Sequence, residues 1–262
     1  MIQSIRPAIS VSGVVPLPGD KSISHRYALL AAIARGASEL EHFASSGDCH
    51  STLACLRALG VDVRQTGETV TILGCGLRGL RAPQHVLDAG NSGTTIRLLS
   101  GILAGHPFES VISGDASLSG RPMGRITQPL RMMGAGIESR EGELPPLKIR
   151  GGSLKGMRYR LPVASAQVKS CVLFAGLYAK GPTAVEETVP TRDHSEIALT
   201  EFGAALRIRD NWIEVDPEPD LRARRLRIPG DLSGAAFFLV AAALVPGSGL
   251  RLPGVGLNKR RR

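Results

Sequence analysis

Three short segments set cations beside the small polar residues that start helices. The first is Pro18-Gly19-Asp20-Lys21-Ser22-Ile23-Ser24-His25-Arg26. Lys21 precedes a serine of capping type, and Arg26 follows Ser22 by four positions, so both can face one ligand on a helix. The second is Asp88-Ala89-Gly90-Asn91-Ser92-Gly93-Thr94-Thr95-Ile96-Arg97. Its glycines let backbone approach a ligand, and Asn91 offers a donor and an acceptor. The third, Ser165-Ala166-Gln167-Val168-Lys169-Ser170, is polar but less charged. Between them lie Gly120-Arg121-Pro122-Met123-Gly124-Arg125 and Thr191-Arg192-Asp193-His194, in which Arg121 and Arg192 open further helices. Free N–H groups and the positive end of a helix dipole attract anions, and a guanidinium grips phosphate or carboxylate with a planar fork. Taken singly, each feature is equally well an ordinary cap or a solvated surface charge. The case for a site rests on whether they converge.

Convergence is implied by an internal repeat. The helix starts at Ser22, Ser92, Ser165 and Ser233 are separated by 70, 73 and 68 positions. Each is followed by a Leu/Ala-rich stretch of helical period that stops near Gly36, Gly105, Gly181 or Gly247. Short strand patterns come next at Ser38–His42, Glu109–Ile112 and Thr183–Glu187. Second helices end at Gly60, Gly134 and Gly203. Hairpins are expected at Val61–Arg64 with Thr69–Leu73, and at Leu206–Ile208 with Trp212–Val215. The unit is therefore strand, helix, strand, helix, hairpin. Three copies run from about Val14 to Asp220, and a fourth begins near Leu226 and stops after its first helix. Such copies bury their apolar faces against one another, here around a pseudo-threefold axis. Equivalent positions then fall at one end of the domain, giving a basic, Gly/Ser-lined surface for one or two small phosphorylated anions.

Composition narrows the alternatives. The net charge is +9, four of it in Lys259–Arg262, which leaves +5 on the rest. That modest excess suits small anions, and no RNA-reading aromatic motif or zinc-finger spacing accompanies it. Cys49, Cys55, Cys75 and Cys171 form no C-x-x-C pair, and His25, His50 and His194 are not at metal spacing. Reduced thiols in a cytoplasmic protein are expected. The longest apolar run, Ala235 to Val245, is too short to span a bilayer. Neither a nucleic-acid nor a membrane partner is expected.

The five motifs, in this order, resemble those of the 5-enolpyruvylshikimate-3-phosphate synthases. The Ser-Ala-Gln and Thr-Arg-Asp-His forms are similar to a bacterial branch of that family. The resemblance implies an α/β fold with helices inside and sheets outside, in two domains whose cleft holds the active site. It implies transfer of enolpyruvyl from phosphoenolpyruvate to the 5-hydroxyl of shikimate 3-phosphate, on the route to aromatic amino acids. It implies a monomer when complete, with no metal or organic cofactor. By the family pattern Lys21 touches both substrates and takes part in proton transfer. Ser22, Arg26, Ser165, Gln167 and Arg192 hold shikimate 3-phosphate, with Ala166 contributing backbone. Asn91, Gly93, Arg121 and Gln167 hold phosphoenolpyruvate. Gly93 is where a larger side chain crowds phosphoenolpyruvate analogues, so glyphosate sensitivity is implied for an intact enzyme.

One departure matters. The family continues Leu-Asn-Pro-Thr-Arg where this sequence reads Leu257-Asn258-Lys259-Arg260-Arg261-Arg262. The expectation is a three-unit domain over 14–225, with 1–13 and 226–262 as pieces of an incomplete second domain. The helix near 234–245 should then expose an apolar patch, and little turnover is expected from the chain alone. Two alternatives remain open. One is a non-catalytic anion-binding fragment. The other is the enolpyruvyl transferase acting on UDP-N-acetylglucosamine, which has Lys-Asn where this chain has Lys21-Ser22.

Overall fold

A computed structural model describes residues 8–258 and Arg260. The first seven residues of the expected N-terminal piece, and Lys259, Arg261 and Arg262 of the basic tail, lie outside the described residues. The first unit contains helix α1 (Lys21–Ile33), strand Arg35–Glu41, helix α2 (Gly47–Ala58) and the hairpin Asp62–Thr66 with Thr69–Cys75. In the second, strand Leu87–Asp88 leads to α3 (Gly93–Leu103) and strand Glu109–Ser113. A one-turn α4 (Ala116–Ser119), α5 (Gly124–Met132) and the strands Gly136–Arg140 and Leu144–Arg150 complete it. The third has strand Arg158–Arg160, α6 (Ala166–Gly176), strand Thr183–Glu186, α7 (His194–Glu201) and the hairpin Leu206–Arg209 with Trp212–Val215. A further strand, Arg225–Arg227, precedes α8 (Leu232–Leu244) and strand Gly249–Arg251.

Helices α1, α3 and α6 form the interior. In α1 every residue from Ser24 to Ile33 is buried, and α6 is buried from Val168 to Gly176. A helix covered all round is largely apolar or small, as residues 28–33 of α1 and 171–176 of α6 are, while the buried polar residues nearer each helix start, Arg26 and Lys169 among them, find polar partners. Small residues also set how closely two helices approach. A Cβ on Gly101 of α3 would lie 2.3 Å from the Cys171 carbonyl oxygen of α6, a separation only glycine permits.

Three four-stranded sheets wrap this interior. Val70 and Ile72 in the first, Leu147 and Ile149 in the second, and Ile213 and Val215 in the third point inward and are buried. Their neighbours along each strand are less covered, the period-two pattern of a sheet with one wet face. Helices inside and sheets outside agree with the expected fold class.

The sheets share one strand order. Leu87–Asp88 pairs in parallel with Glu109–Ser113, and Arg158–Arg160 pairs in parallel with Thr183–Glu186. The corresponding place in the first sheet is filled from the far end of the chain, where Arg225–Arg227 pairs in parallel with Arg35–Glu41. The strand Ser12–Val14 instead pairs with Gly249–Arg251. Two further hydrogen bonds join the chain's two passages between these regions: Asp20 N–H to the Pro229 carbonyl (2.8 Å) and Asp231 N–H to the Pro18 carbonyl (2.9 Å).

Helix α8 stands apart. Ala235 alone among its residues is fully buried, whereas Phe237 is 80% and Leu244 76% exposed, with Leu239 and Val240 exposed beside them. The apolar surface expected from the sequence is present.

Candidate functional site

The cap of α1 lies two positions before the Ser22 of the sequence reading. Asp20 caps the helix by accepting from Ile23 N–H at 3.0 Å, so Lys21 is its first residue and Ser22 lies inside the first turn. A carboxylate caps about as well as a hydroxyl and also meets the helix dipole with a full charge. Lys21 Nζ reaches across to Asp48 Oδ2 at 2.9 Å, which fixes its position at the start of α2.

Arg26 is buried. Its Nη1 donates to the Ser22 carbonyl (2.9 Å), Nε to Ser195 Oγ (2.7 Å) and Nη2 to Ser170 Oγ (2.8 Å). All three acceptors are neutral, and a guanidinium carries five N–H groups, so two remain for a ligand. Desolvation pulls its pKa down to about 10, partly opposed by Glu196 and Asp20, while the nearby Arg192 lowers it further. The group stays cationic at neutral pH, a buried charge without a carboxylate in contact.

Around α3 a second cationic group assembles. Ser92 caps the helix, accepting from Thr95 N–H at 3.0 Å. One turn on, Arg97 Nη1 donates to the Gly93 carbonyl (3.2 Å) and to Gln167 Oε1 (3.1 Å). Gln167 Nε2 donates to Thr94 Oγ1 at 2.9 Å, so both ends of the amide are spoken for and its orientation is set. Arg121 Nη2 donates to Asn91 Oδ1 (2.7 Å) and Ser117 Oγ (3.0 Å). A Cβ on Gly93 would lie 2.6 Å from Arg97 Nη1 and 3.5 Å from Arg121 Nη1, so the bare backbone of Gly93 sits between two guanidiniums. Burial, then Arg121 and Arg125, lower the pKa of Arg97.

A chain of hydroxyls ties the helix starts together. His25 Nδ1 lies 2.7 Å from Thr52 Oγ1 on α2, which lies 2.7 Å from Thr95 Oγ1 on α3. Burial, with Arg26 next in weight, depresses the His25 pKa to about 3, so the imidazole is neutral throughout the physiological range. The unfolded chain takes up this proton near pH 6.5 and the folded one does not, so stability falls as pH drops below 6.5. At pH 5 the cost is about 2 kcal/mol, from 1.5 pH intervals at 1.36 kcal/mol each. His106 shifts in the same direction, so the contribution of His25 is read as a difference. In urea titrations at pH 7 and 5, His25→Asn should lose about 2 kcal/mol less than the parent chain over that interval; equal losses would contradict it.

Lys21, Ser22, Arg26, Ser165, Ala166, Gln167 and Arg192 thus gather around the starts of α1, α6 and α7, and Asn91, Gly93 and Arg121 around that of α3. Gln167, on the first turn of α6, touches the second group while its neighbour Ala166 belongs to the first. Arg192 is exposed and makes no ion pair among the described residues. His194 lies next to it, buried. Sequence reasoning passed over Arg97, although its place four residues beyond Gly93 was enough to put it on the same helix face. It also passed over Asp48, which meets Lys21 from the next helix of the same unit, and Ser195, which meets Arg26 from the third unit; neither contact leaves a local signal.

Comparison with known proteins agrees with this architecture. Residues 5–262 match the family model of EPSP synthase (3-phosphoshikimate 1-carboxyvinyltransferase). The chain is 56% identical over 261 residues to a 3-phosphoshikimate 1-carboxyvinyltransferase of Solibacter usitatus, covering 100% of this chain and 61% of that protein. It is 53% identical over 253 residues to that of Geobacillus kaustophilus, covering 96% and 59%. An EPSP synthase structure from Acinetobacter baumannii superposes with a TM-score of 0.90 at 46% identity, covering 95% of this chain and 57% of that one. The chain therefore spans about 60% of the length of the relatives it matches. With matched motifs, matched fold and a family model covering nearly every residue, this chain belongs to the EPSP synthase family.

Proposed function

We propose that this chain supplies one wall of an active site that transfers enolpyruvyl from phosphoenolpyruvate to the 5-hydroxyl of shikimate 3-phosphate, releasing phosphate. One observation carries the reading. Arg26 on α1, Arg97 on α3, Arg121 bonded to Asn91 just before α3, and Arg192 before α7 and near Arg26 lie around the inner helix starts, and none makes an ion pair with a carboxylate among the described residues. Cations gathered without counter-ions repel one another, so a stable cluster of this kind is completed by an anionic ligand.

In this reading Arg26, Ser22, Ser165, Gln167, Arg192 and the Ala166 backbone take shikimate 3-phosphate. Asn91, Gly93, Arg121 and Gln167 take phosphoenolpyruvate, with Arg97 added on the geometry above. Lys21, steadied by Asp48, faces both and moves the proton as the alkene carbon is protonated and the hydroxyl adds. Phosphate then leaves from the tetrahedral intermediate. Positioning two anions and stabilising developing charge carry the rate.

The three-unit domain takes in the strand Arg225–Arg227, and Ser12–Val14, α8 and Gly249–Arg251 belong to a second domain that provides the facing wall. Four free thiols, three of them buried, suit the cytoplasm, and no helix among the described residues is long and apolar enough to cross a membrane.

Calorimetric titration of the 262-residue chain with each substrate, alongside a phosphate-release assay, tests the reading. Shikimate 3-phosphate should bind and little turnover should follow. Absence of binding to either substrate would overturn the assignment, and rapid turnover would overturn the need for a facing wall. Glyphosate, a phosphonate analogue of phosphoenolpyruvate, should compete for the Arg97–Arg121 group. A methyl on Gly93 displaces Arg97, so Gly93→Ala should weaken that competition by about tenfold, the order of one charged hydrogen bond. Unchanged competition would count against it.

A further inference from the structure

We propose that Ser170 and Ser195 are positioning residues that aim the Arg26 guanidinium, an inference that rests on Arg26 belonging to the shikimate 3-phosphate subsite. Both side chains are buried, one on α6 and the other on α7, and their oxygens lie 2.5 Å apart. Arg26 enters from α1 and donates to both, Nε to Ser195 and Nη2 to Ser170. Three helices from two repeat units thus meet at one guanidinium.

The protons in this group can be placed by counting. Arg26 has no acceptor, so each serine oxygen accepts from it. Ser170 spends its own proton on the Ala166 carbonyl, 2.5 Å away in the preceding turn of α6. The proton of Ser195 must then point at Ser170. The result is one polarised line, from Arg26 Nε through Ser195 and Ser170 to the Ala166 carbonyl, in which each bond strengthens the next. It joins Arg26 to the first turn of α6, the turn that also bears Gln167.

A charged layer lies directly behind. Lys169 and Glu196, each adjacent in sequence to one of the serines, pair at 2.6 Å, and Glu187 meets Lys169 at 3.0 Å. Both carboxylates face Lys169, and Arg260 meets Glu187 at 3.2 Å from the more exposed side of the layer. Glu196 is also the main charge that favours the cationic form of Arg26. The layer holds α6 and α7 at the spacing the serine pair needs and supplies the counter-charge at one remove. The two N–H groups of Arg26 that remain are therefore left for a ligand.

The decisive readout is the Arg26 Nε–H resonance in nitrogen-15 correlation spectra of the ligand-free chain, identified by its disappearance in Arg26→Lys. A hydrogen-bonded, buried Nε–H should be shifted and slow to exchange. Ser195→Ala should abolish that protection and weaken shikimate 3-phosphate binding about tenfold, while Ser195→Thr, which keeps the hydroxyl, restores both. In an Arg26→Lys background Ser195→Ala should cost no further affinity. Should Ser195→Ala fold poorly by circular dichroism, Ser170→Ala, which removes the Nη2 acceptor, should likewise weaken shikimate 3-phosphate binding in the parent chain and not in the Arg26→Lys background. An unaltered Nε–H resonance in Ser195→Ala, or an affinity loss in either alanine variant that persists undiminished in the Arg26→Lys background, would overturn the proposal. A protected resonance in a parent chain that binds no shikimate 3-phosphate would remove the substrate assignment and leave the positioning role standing.

Discussion

Lys169→Met should cost about 3–5 kcal/mol of stability, the usual consequence of stripping the partner from buried charge. Lys169 is fully buried, and its ammonium is the main counter-charge for Glu187 and Glu196, both of which are also buried. Arg260 lies 3.2 Å from Glu187 but 4.0 Å from Glu196 and is about one-third exposed, so it substitutes poorly. Burial already holds the Glu196 carboxyl above its ordinary range, opposed by Lys169. Removing the lysine lifts it further. The folded state then binds the proton more tightly than the unfolded one, so the deficit is small at pH 4.5 and grows as pH rises. Urea unfolding of parent and variant at pH 5 and pH 8 measures this directly. Lys169→Met combined with Glu187→Gln and Glu196→Gln should recover much of the loss. A deficit below 1 kcal/mol, or one independent of pH, would show that the pair contributes little.

The largest functional effect is expected at Arg121. Its guanidinium is oriented by Asn91 and Ser117, both neutral, so its charge is available to the ligand. Arg121→Met should weaken phosphoenolpyruvate binding about 30- to 150-fold, equivalent to about 2–3 kcal/mol for a charge-assisted bond. Shikimate 3-phosphate should be affected far less, because the group proposed to hold it, around Arg26, makes no contact with Arg121 among the described residues. Titrations of each substrate into the variant separate the two. A loss under about threefold, or equal losses for both, would dissolve the division into two subsites.

Much of the fold was legible because the repeat is written in residues with strong local meaning. Gly60, Gly134 and Gly203 each follow a second helix with left-handed backbone, where glycine costs least. Thr66-Gly67 and Asp210-Asn211 mark hairpin turns whose residues take positive φ at Gly67 and Asp210. The hairpin of the second unit was not located, since Pro145-Pro146 opens its second strand and proline argues against a ladder position. The one-turn helix at Ala116–Ser119 is too short to leave a period.

For the site, cations next to helix caps were readable, and so was their convergence once the repeat was seen. The bonds that hold them were not. Arg26 meets Ser195 at a separation of 169 residues, and Lys21 meets Asp48 at 27. The first pair depends on how units pack, and the second on how two helices of one unit pack. The choice of Asp20 over Ser22 as the cap turned on a competition between two good capping residues, which a local pattern does not resolve.

The strand Arg225–Arg227 has a consequence for the order in which the molecule is made. Its partner, Arg35–Glu41, is synthesised some 186 residues earlier. Through all of that interval the first sheet has one bare edge, with unpaired N–H and C=O groups open to any passing strand. The second and third sheets receive their corresponding strands before the helices that cover them, and close as they emerge. The first unit is thus begun first and finished last, and the nascent chain is most prone to wrong pairing until Arg227 clears the ribosome. A permuted chain that begins near Asp220 would deliver all three sheets in the same sequence of strands.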